Sequence, residues 1–277
     1  MKREQWSHSR ILEARYERDI QQIISKILPE IVPGMGMPIK QLSVGQFLEM
    51  WSRQAAMRMV TGQLAHSART WREAAREGMR GPEVYQMLRS ELAGPVGAAV
   101  REIVERNAEL IRSVPWDVAE GITRYTQEQA TKGIRAAAME PEIRRMAPEL
   151  ASSRIRLIAR TEVSKASTAL TRARSEELDL PAYVWRTSKD ARVRSSHRHM
   201  DGVICFWDDP PSPEALIGIK SSLGRYTCGD APNDRCFPEP ILRLGQITFP
   251  AKVYRGGSIS RMTRAAFARI AGVQVAA

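Results

Sequence analysis

The sequence is poor in several things that would have pointed elsewhere. It has three cysteines in 277 residues, so one stays unpaired whatever the others do. That count argues against a secreted disulfide scaffold and fits a reducing compartment. No apolar run reaches the 18 or so residues that a bilayer-spanning helix needs. The first residues, MKREQWSHSRILEARYERD, put charges where a signal peptide has its apolar stretch, so a processed leader is not expected. Aromatic residues make up only 6% and histidines number four. Phosphate-cradling Gly-rich loops, a dinucleotide fingerprint and a Ser–His–Asp order are all missing from the pattern. Acidic residues thin out toward the C-terminus, and none follows Glu239.

What is present is ordinary globular material, 43% hydrophobic and 26% charged, with length enough for two domains. The net charge is +11 and unevenly placed. Residues 1–150 carry a balance of +3 and residues 151–277 a balance of +8. Arg243, Lys252, Arg255, Arg261, Arg264 and Arg269 follow one another without an acid between them. Such a stretch either keeps the surface solvated or meets phosphate, and these six are the candidate DNA contacts.

The first 180 residues read as helices with short breaks. Trp6, Ile11, Leu12, Tyr16, Ile20, Ile23, Ile24, Ile27 and Leu28 form a stripe at helical spacing. The stripe either packs on the chain's own helices or lies in a partner's groove. Pro29, Pro33, Gly34, Gly36 and Pro38 predict a break. Ser43 is a candidate cap for a helix through Trp51, Met57 and Val60, and Gly81-Pro82 punctuates again. A helix is expected through Val100 to Ile111. Ser113 is a candidate N-cap before Pro115, starting another helix with Trp116, Val118, Ile122 and Tyr125. Pro141 and Pro148 predict a further junction before a helix from about Glu149 to Leu178.

That last helix places Arg160, Thr161 and Glu162 amid Ile155, Ile158, Ala166, Ala169, Leu170 and Ala173. A carboxylate on an apolar face needs a partner. The partner is expected among the arginines of the next segment, Arg194 or Arg192; a catalytic acid is the other reading. After Pro181 the texture changes. Ala182–Thr187 and Val203–Trp207 read as strands around an Asp201-Gly202 turn, with Ile247–Phe249 and Lys252–Tyr254 as weaker strands. A basic helix from about Ser260 to Ala271 ends the chain. The fold class is thus α+β and mostly helical. An extended helical N-terminal region, 1–148, precedes a small α+β module with a short antiparallel sheet, 149–245, and a basic tail, 246–277.

Soft ligands crowd into that module. His197, His199, Cys205, Cys228 and Cys236 fall within 40 residues, and His197, His199, Cys228 and Cys236 make a Cys2His2 count for zinc. The spacing Cys228-x7-Cys236 is longer than the usual knuckle, so a hydrogen-bonding role for His197 with Cys236 in a loop core stands beside the metal reading.

Three ordered blocks stand out: ARTEVSK at 159–165, WRTSKDARVRSSHRHMDG at 185–202, and GDAPNDRCFPEPIL at 229–242. Together they resemble the head-morphogenesis domain of tailed-phage minor capsid proteins, the family typified by protein F of phage Mu. That family shares an A-R-T-E helix, a W-x-T-x-x-D-x-R-V-R-x-x-H-x-x-x-D-G block and a late P-x-x-C-R-C-like element. The last element departs here, reading Asp234-Arg235-Cys236 where two cysteines usually flank the arginine, with Cys228 upstream. The residues that carry the resemblance are Arg160, Thr161, Glu162, Trp185, Asp190, Arg194, His197, Asp201, Gly202 and Cys236. Each also has a structural job by its own chemistry. Trp185 anchors a strand, Asp190 caps a turn, the arginines pair with carboxylates, and Gly202 tolerates positive φ.

The resemblance implies a virion protein without enzymatic activity or a required cofactor. It would associate with the portal and the procapsid or scaffold interior, and meet packaged DNA nonspecifically. Its place would be the capsid interior or portal vertex, and the host cytoplasm during assembly. The alternative is a metal-dependent nuclease or DNA-binding protein using His197 and His199 with Asp190 and Asp201. A toxin domain after Leu244 is not expected, since only about 30 residues follow it in this sequence.

Overall fold

The computed structural model describes residues 3–31 and 41–272. Five helices come first: α1 (Arg10–Ile31), α2 (Gln41–Arg76), α3 (Gly81–Ser90), α4 (Pro95–Thr131) and α5 (Ala136–Glu177). Then follow β1 (Ala182–Arg186), α6 (Ser195–Met200), β2 (Ile204–Phe206), the single turn α7 (Pro213–Leu216), β3 (Phe237–Pro240), β4 (Ala251–Arg255), β5 (Ser258–Met262) and α8 (Arg264–Ala271).

Several expected breaks are not breaks. Pro29, Pro115, and Pro141 with Pro148 all lie inside helices, α1, α4 and α5 respectively. Ser113 therefore caps nothing, and Ser43 falls within α2 rather than before it. A proline inside a helix removes one backbone hydrogen bond and costs about 3 kcal/mol. Burial along helices of 37 and 42 residues outweighs that local penalty. Pro33, Gly34, Gly36 and Pro38 lie outside the described residues.

The chain divides into two compact units. One takes the residues up to Ser9, then Gln63–Val100 and everything from Val163 onward; the other takes Arg10–Gly62 and Arg101–Glu162. The expected division at 148/149 falls inside α5. The expected tail is no tail either, because residues 251–262 supply two strands of the sheet.

In the second unit the α1 stripe is internal. Tyr16, Ile20, Ile23, Ile24, Ile27 and Leu28 are buried, while Ile11 is exposed. The Tyr16 hydroxyl donates to Asn107 Oδ1 at 2.8 Å. Asn107 donates in turn to Glu162 Oε2 at 3.3 Å, and Arg106 Nε donates to the same oxygen at 3.0 Å. Glu162 is thus paired with Arg106, not with Arg194 or Arg192. It is 3% exposed, so the need for a partner was real, and the partner comes from α4. Arg106→Ala is expected to cost this unit about 2 kcal/mol, between the values for exposed and fully buried pairs. Arg194→Ala should leave it unchanged. Urea unfolding of both variants checks this.

In the first unit the five strands form one mixed sheet, in the order β3-β1-β2-β4-β5. The sheet was expected to be antiparallel. Its β2–β4 pair is parallel, with Ile204 opposite Val253. The prolines of β3 sit where they do least harm, on an edge strand. Arg186 and Glu239 pair across β1 and β3. Gly256 and Gly257, both at positive φ, close the β4–β5 hairpin.

Alternation along the strands assigns the two faces. Ala182, Val184, Ile204, Phe206 and Val253 pack with Phe267 and Ala268 of α8. Tyr183, Trp185, Cys205 and Tyr254 face the other way, onto Met200, Cys228 and Cys236. This second face carries the soft ligands. A separate cluster joins Trp6, Trp71, Met79, Val84, Leu178 and Phe237, with the Trp6 and Trp71 rings edge to face at 5.2 Å.

Candidate functional site

The Asp201-Gly202 turn ties α6 back to β1. Gly202 N–H donates to the Trp185 carbonyl at 2.8 Å, and Trp185 N–H donates to the Val203 carbonyl at 2.8 Å. Asp201 Oδ1 accepts from the Thr187 N–H at 2.9 Å and its hydroxyl at 3.1 Å. Trp185, fully buried, presents its ring edge-on to the His197 imidazole at 5.4 Å. α6 is thereby fixed with His197 pointing inward.

Asp190 caps the preceding loop. Its oxygens accept from the Arg192 N–H at 2.8 Å, the Ser188 hydroxyl at 3.0 Å and Arg235 Nη1 at 2.7 Å. The Arg235 guanidinium is the main reason its carboxyl is held down at about 2. Arg194 donates to the Pro232 carbonyl at 2.6 Å, so the first arm of the block is stapled to the Asp230–Cys236 loop.

His197 is the centre. Its Nδ1 lies 3.1 Å from Asp234 Oδ1 and 3.3 Å from Cys236 Sγ, and its Nε2 lies 2.8 Å from the Tyr226 hydroxyl. Tyr226 bonds both oxygens of Glu214 at 2.9 Å, and the Ser196 hydroxyl donates to Glu214 Oε1 at 2.9 Å. Burial works against charge on the imidazole, but the bonds to Asp234 and Cys236 outweigh it and raise His197 to about 9. Burial would likewise raise the Asp234 carboxyl, yet hydrogen bonds from His197 and the Cys236 N–H hold it below the ordinary range. Burial and the neighbouring Cys236 push the Cys228 thiol up.

The donor atoms of His197, Asp234 and Cys236 lie within 4.8 Å of one another, and all three residues are buried. They are the group among the described residues able to hold a metal ion. Cys228 belongs to the same buried cluster as Cys236 but lies outside that group, with its thiol 3.9 Å from the Arg186 carbonyl. His199 does not join them. Two positions along a helix turn a side chain about 200° away, and His199 is exposed. All three cysteines are free and buried.

The remaining candidates scatter. Arg160 pairs with Glu13 at 3.3 Å in the other unit, which also holds Thr161 and Glu162. Arg243, Lys252, Arg255, Arg261, Arg264 and Arg269 are all exposed, on a loop, β4, β5 and α8. Arg255 is paired with Asp208 at 2.5 Å. Lys252 and Arg261 stand directly opposite each other across β4 and β5, a like-charge pair that favours an anion nearby.

Sequence reasoning missed Asp234, Tyr226 and Glu214. Asp234 had a signal, being two residues from Cys236 in the position where the resembled family usually has cysteine. Tyr226 and Glu214 lie in a Pro- and Gly-rich stretch with no periodicity to mark them.

The comparisons agree with the three blocks. Residues 120–237, under half of the chain, match the family model described as phage Mu protein F like protein. An uncharacterized protein of Haemophilus influenzae is 30% identical over 113 residues, a stretch that covers 41% of this chain and 25% of that relative. The chain thus spans about a quarter of the relative it matches. No solved structure matches. The matched region contains the ARTE helix, the Trp185–Gly202 block and His197, Asp234 and Cys236 together. Over residues 120–237, then, the chain is similar to the phage Mu protein F like family, which its motif blocks also resemble.

Proposed function

We propose that the protein is a minor capsid or head-morphogenesis protein of a tailed phage or prophage. It associates with the portal and the procapsid interior, and it assists head assembly or DNA delivery. The observation that carries this reading is the match of residues 120–237 to the phage Mu protein F like family. The chemistry of the matched region supports a non-enzymatic role. Asp190 is taken up by Arg235, Ser188 and the turn it caps, and Asp201 by Thr187. His197 is 2% exposed, closed to a phosphodiester in a polymer, and His199 lies away from it. The nuclease alternative needed those four residues to converge.

Recruitment through the α1 stripe is replaced by the internal packing of that helix. A portal contact would therefore use another surface. The test is co-purification of the intact chain with the portal protein encoded by the same genome, at moderate salt. Stable association is expected, and its absence with both proteins folded would sink the portal reading. Charge reversal of Lys252, Arg261, Arg264 and Arg269 should leave that association intact and weaken binding to DNA. In a gel shift, binding by the parent chain should fall steeply with salt, as phosphate contacts do. A shift indifferent to salt or to the reversal would remove DNA from the reading.

A further inference from the structure

The bonds around His197 define where its protons are. Glu214 is acceptor-only as a carboxylate, so the Tyr226 proton points to it, and Tyr226 oxygen accepts from His197 Nε2–H. The remaining ring nitrogen, Nδ1, faces a carboxylate oxygen and a sulfur. A lone pair on Nδ1 aimed at a carboxylate oxygen is repulsive. The cluster requires something positive between the three atoms, and either a proton or a metal ion meets that requirement.

We propose that His197 Nδ1, Asp234 and Cys236 Sγ form a structural zinc site, with Cys228, buried in the same cluster but outside the group of converging donors, turning its thiol from the Arg186 carbonyl to become the fourth ligand. The separations suit it. A tetrahedral zinc with bonds of about 2.0 Å to nitrogen and oxygen and about 2.3 Å to sulfur sets N···O near ~3.3 Å and N···S near ~3.5 Å. The observed 3.1 and 3.3 Å are each shorter by a margin that a small side-chain adjustment covers. The donor set of two sulfurs, an imidazole and a carboxylate is one that favours zinc over calcium or magnesium.

The surroundings are those of a held site. His197 Nε2 leads to Tyr226 and on to Glu214, the outward hydrogen bonding that orients a metal-bound imidazole. Asp234 Oδ1 accepts the Cys236 N–H at 2.9 Å and its Oδ2 accepts the Gly229 N–H at 3.0 Å, so the two cysteine arms are locked to the carboxylate. The Ser164 and Thr168 hydroxyls of α5 donate to the carbonyls of Gly229 and Cys228 at 3.0 and 2.9 Å. All four ligands are buried, which fits a closed, four-protein-ligand site rather than a catalytic one with an open position. Binding would displace the Nδ1 proton and the thiol protons, so metal and protons compete for one slot. The inference stands independently of the portal reading, since a zinc site would serve any role of this module.

The test is metal content of the intact chain, purified without chelators from zinc-supplemented cells. About one zinc per chain is expected. Replacement by Co2+ should give a thiolate charge-transfer band in the near ultraviolet and visible d–d bands of a tetrahedral ion. Cys236→Ser and Asp234→Asn should each lower the zinc content at least several-fold, whereas His199→Ala should keep it. Should those variants fail to fold, the parent chain still decides. Added zinc should raise its melting temperature and a strong chelator should lower it. Zinc below about a tenth per chain, with no cobalt spectrum and no thermal shift, would leave the proton as the sole occupant and overturn the site.

Discussion

Glu91→Ala is expected to remove about 3–5 kcal/mol from the unit that contains the sheet, because it strands a fully buried charge. Arg174, on α5, is 0% exposed. Its Nε donates to Glu91 Oε2 at 2.8 Å and its Nη1 to the Ser67 hydroxyl at 2.5 Å. Burial lowers the pKa of the guanidinium, and the Glu91 carboxylate is the chief opposing influence. An arginine cannot escape by neutralising at ordinary pH, so removal of the carboxylate leaves its desolvation uncompensated. Glu177 exerts a weaker pull on the same charge and limits the loss. The double variant Glu91→Leu/Arg174→Met should recover most of the stability, since an apolar pair of similar volume carries no charge to desolvate. Urea midpoints at constant slope measure both. A single variant within about 1 kcal/mol of the parent would show that the pair is open to water.

That ion pair had no signature in the sequence, and the reason separates the legible from the hidden. β1 and β2 were legible because their signals are local: aromatic and β-branched runs, bounded by Pro181 and by Asp201-Gly202. The buried face of α5 was legible from helical spacing. Partnerships across long stretches were not. Glu162 was recognisable as a carboxylate in need of a partner. Nearness in sequence pointed to the arginines after Asp190, whereas helix packing supplied Arg106. The parallel β2–β4 pair brings Ile204 beside Val253 across an irregular stretch that carries no period. β3 was hidden because two of its four residues are proline, and β5 because its pattern is almost wholly exposed. The prolines within α1, α4 and α5 misled for the opposite reason, since a strong local rule was overridden by burial.

The site shows the same division. The crowding of histidine and cysteine drew attention to 40 residues in which His197 and Cys236 do meet. The choice of His199 as a ligand ignored the helical rotation between alternate positions. Asp234 was read as a gap in a cysteine pattern, whereas its carboxylate faces the His197 imidazole at 3.1 Å. That pairing is invisible to a count of cysteines but plain in the geometry.

Gly229 shows how tightly that geometry is held, and Gly229→Ala is expected to destabilise the same unit by about 2–4 kcal/mol. Its φ of +94° is disfavoured for any residue with a Cβ. A Cβ built there would stand 2.3 Å from Thr168 Oγ1 and 3.2 Å from the Cys236 carbonyl oxygen. Thr168 is not free to retreat, because its hydroxyl bonds the Cys228 carbonyl at 2.9 Å. The loop would have to shift, which pulls Cys228 away from Cys236 and Gly229 N–H away from Asp234. Thr168→Ala alone loses one buried hydrogen bond, about 1 kcal/mol. Combined with Gly229→Ala it also removes the nearest obstacle, so the double variant should be more stable than additivity requires by about 1–2 kcal/mol. The backbone strain at φ +94° remains in both, so recovery should be partial. A thermodynamic cycle of the four proteins by thermal and urea unfolding gives the coupling. Strict additivity would mean that the clash is relieved elsewhere, and a Gly229→Ala protein as stable as the parent would mean that the loop does not need its glycine.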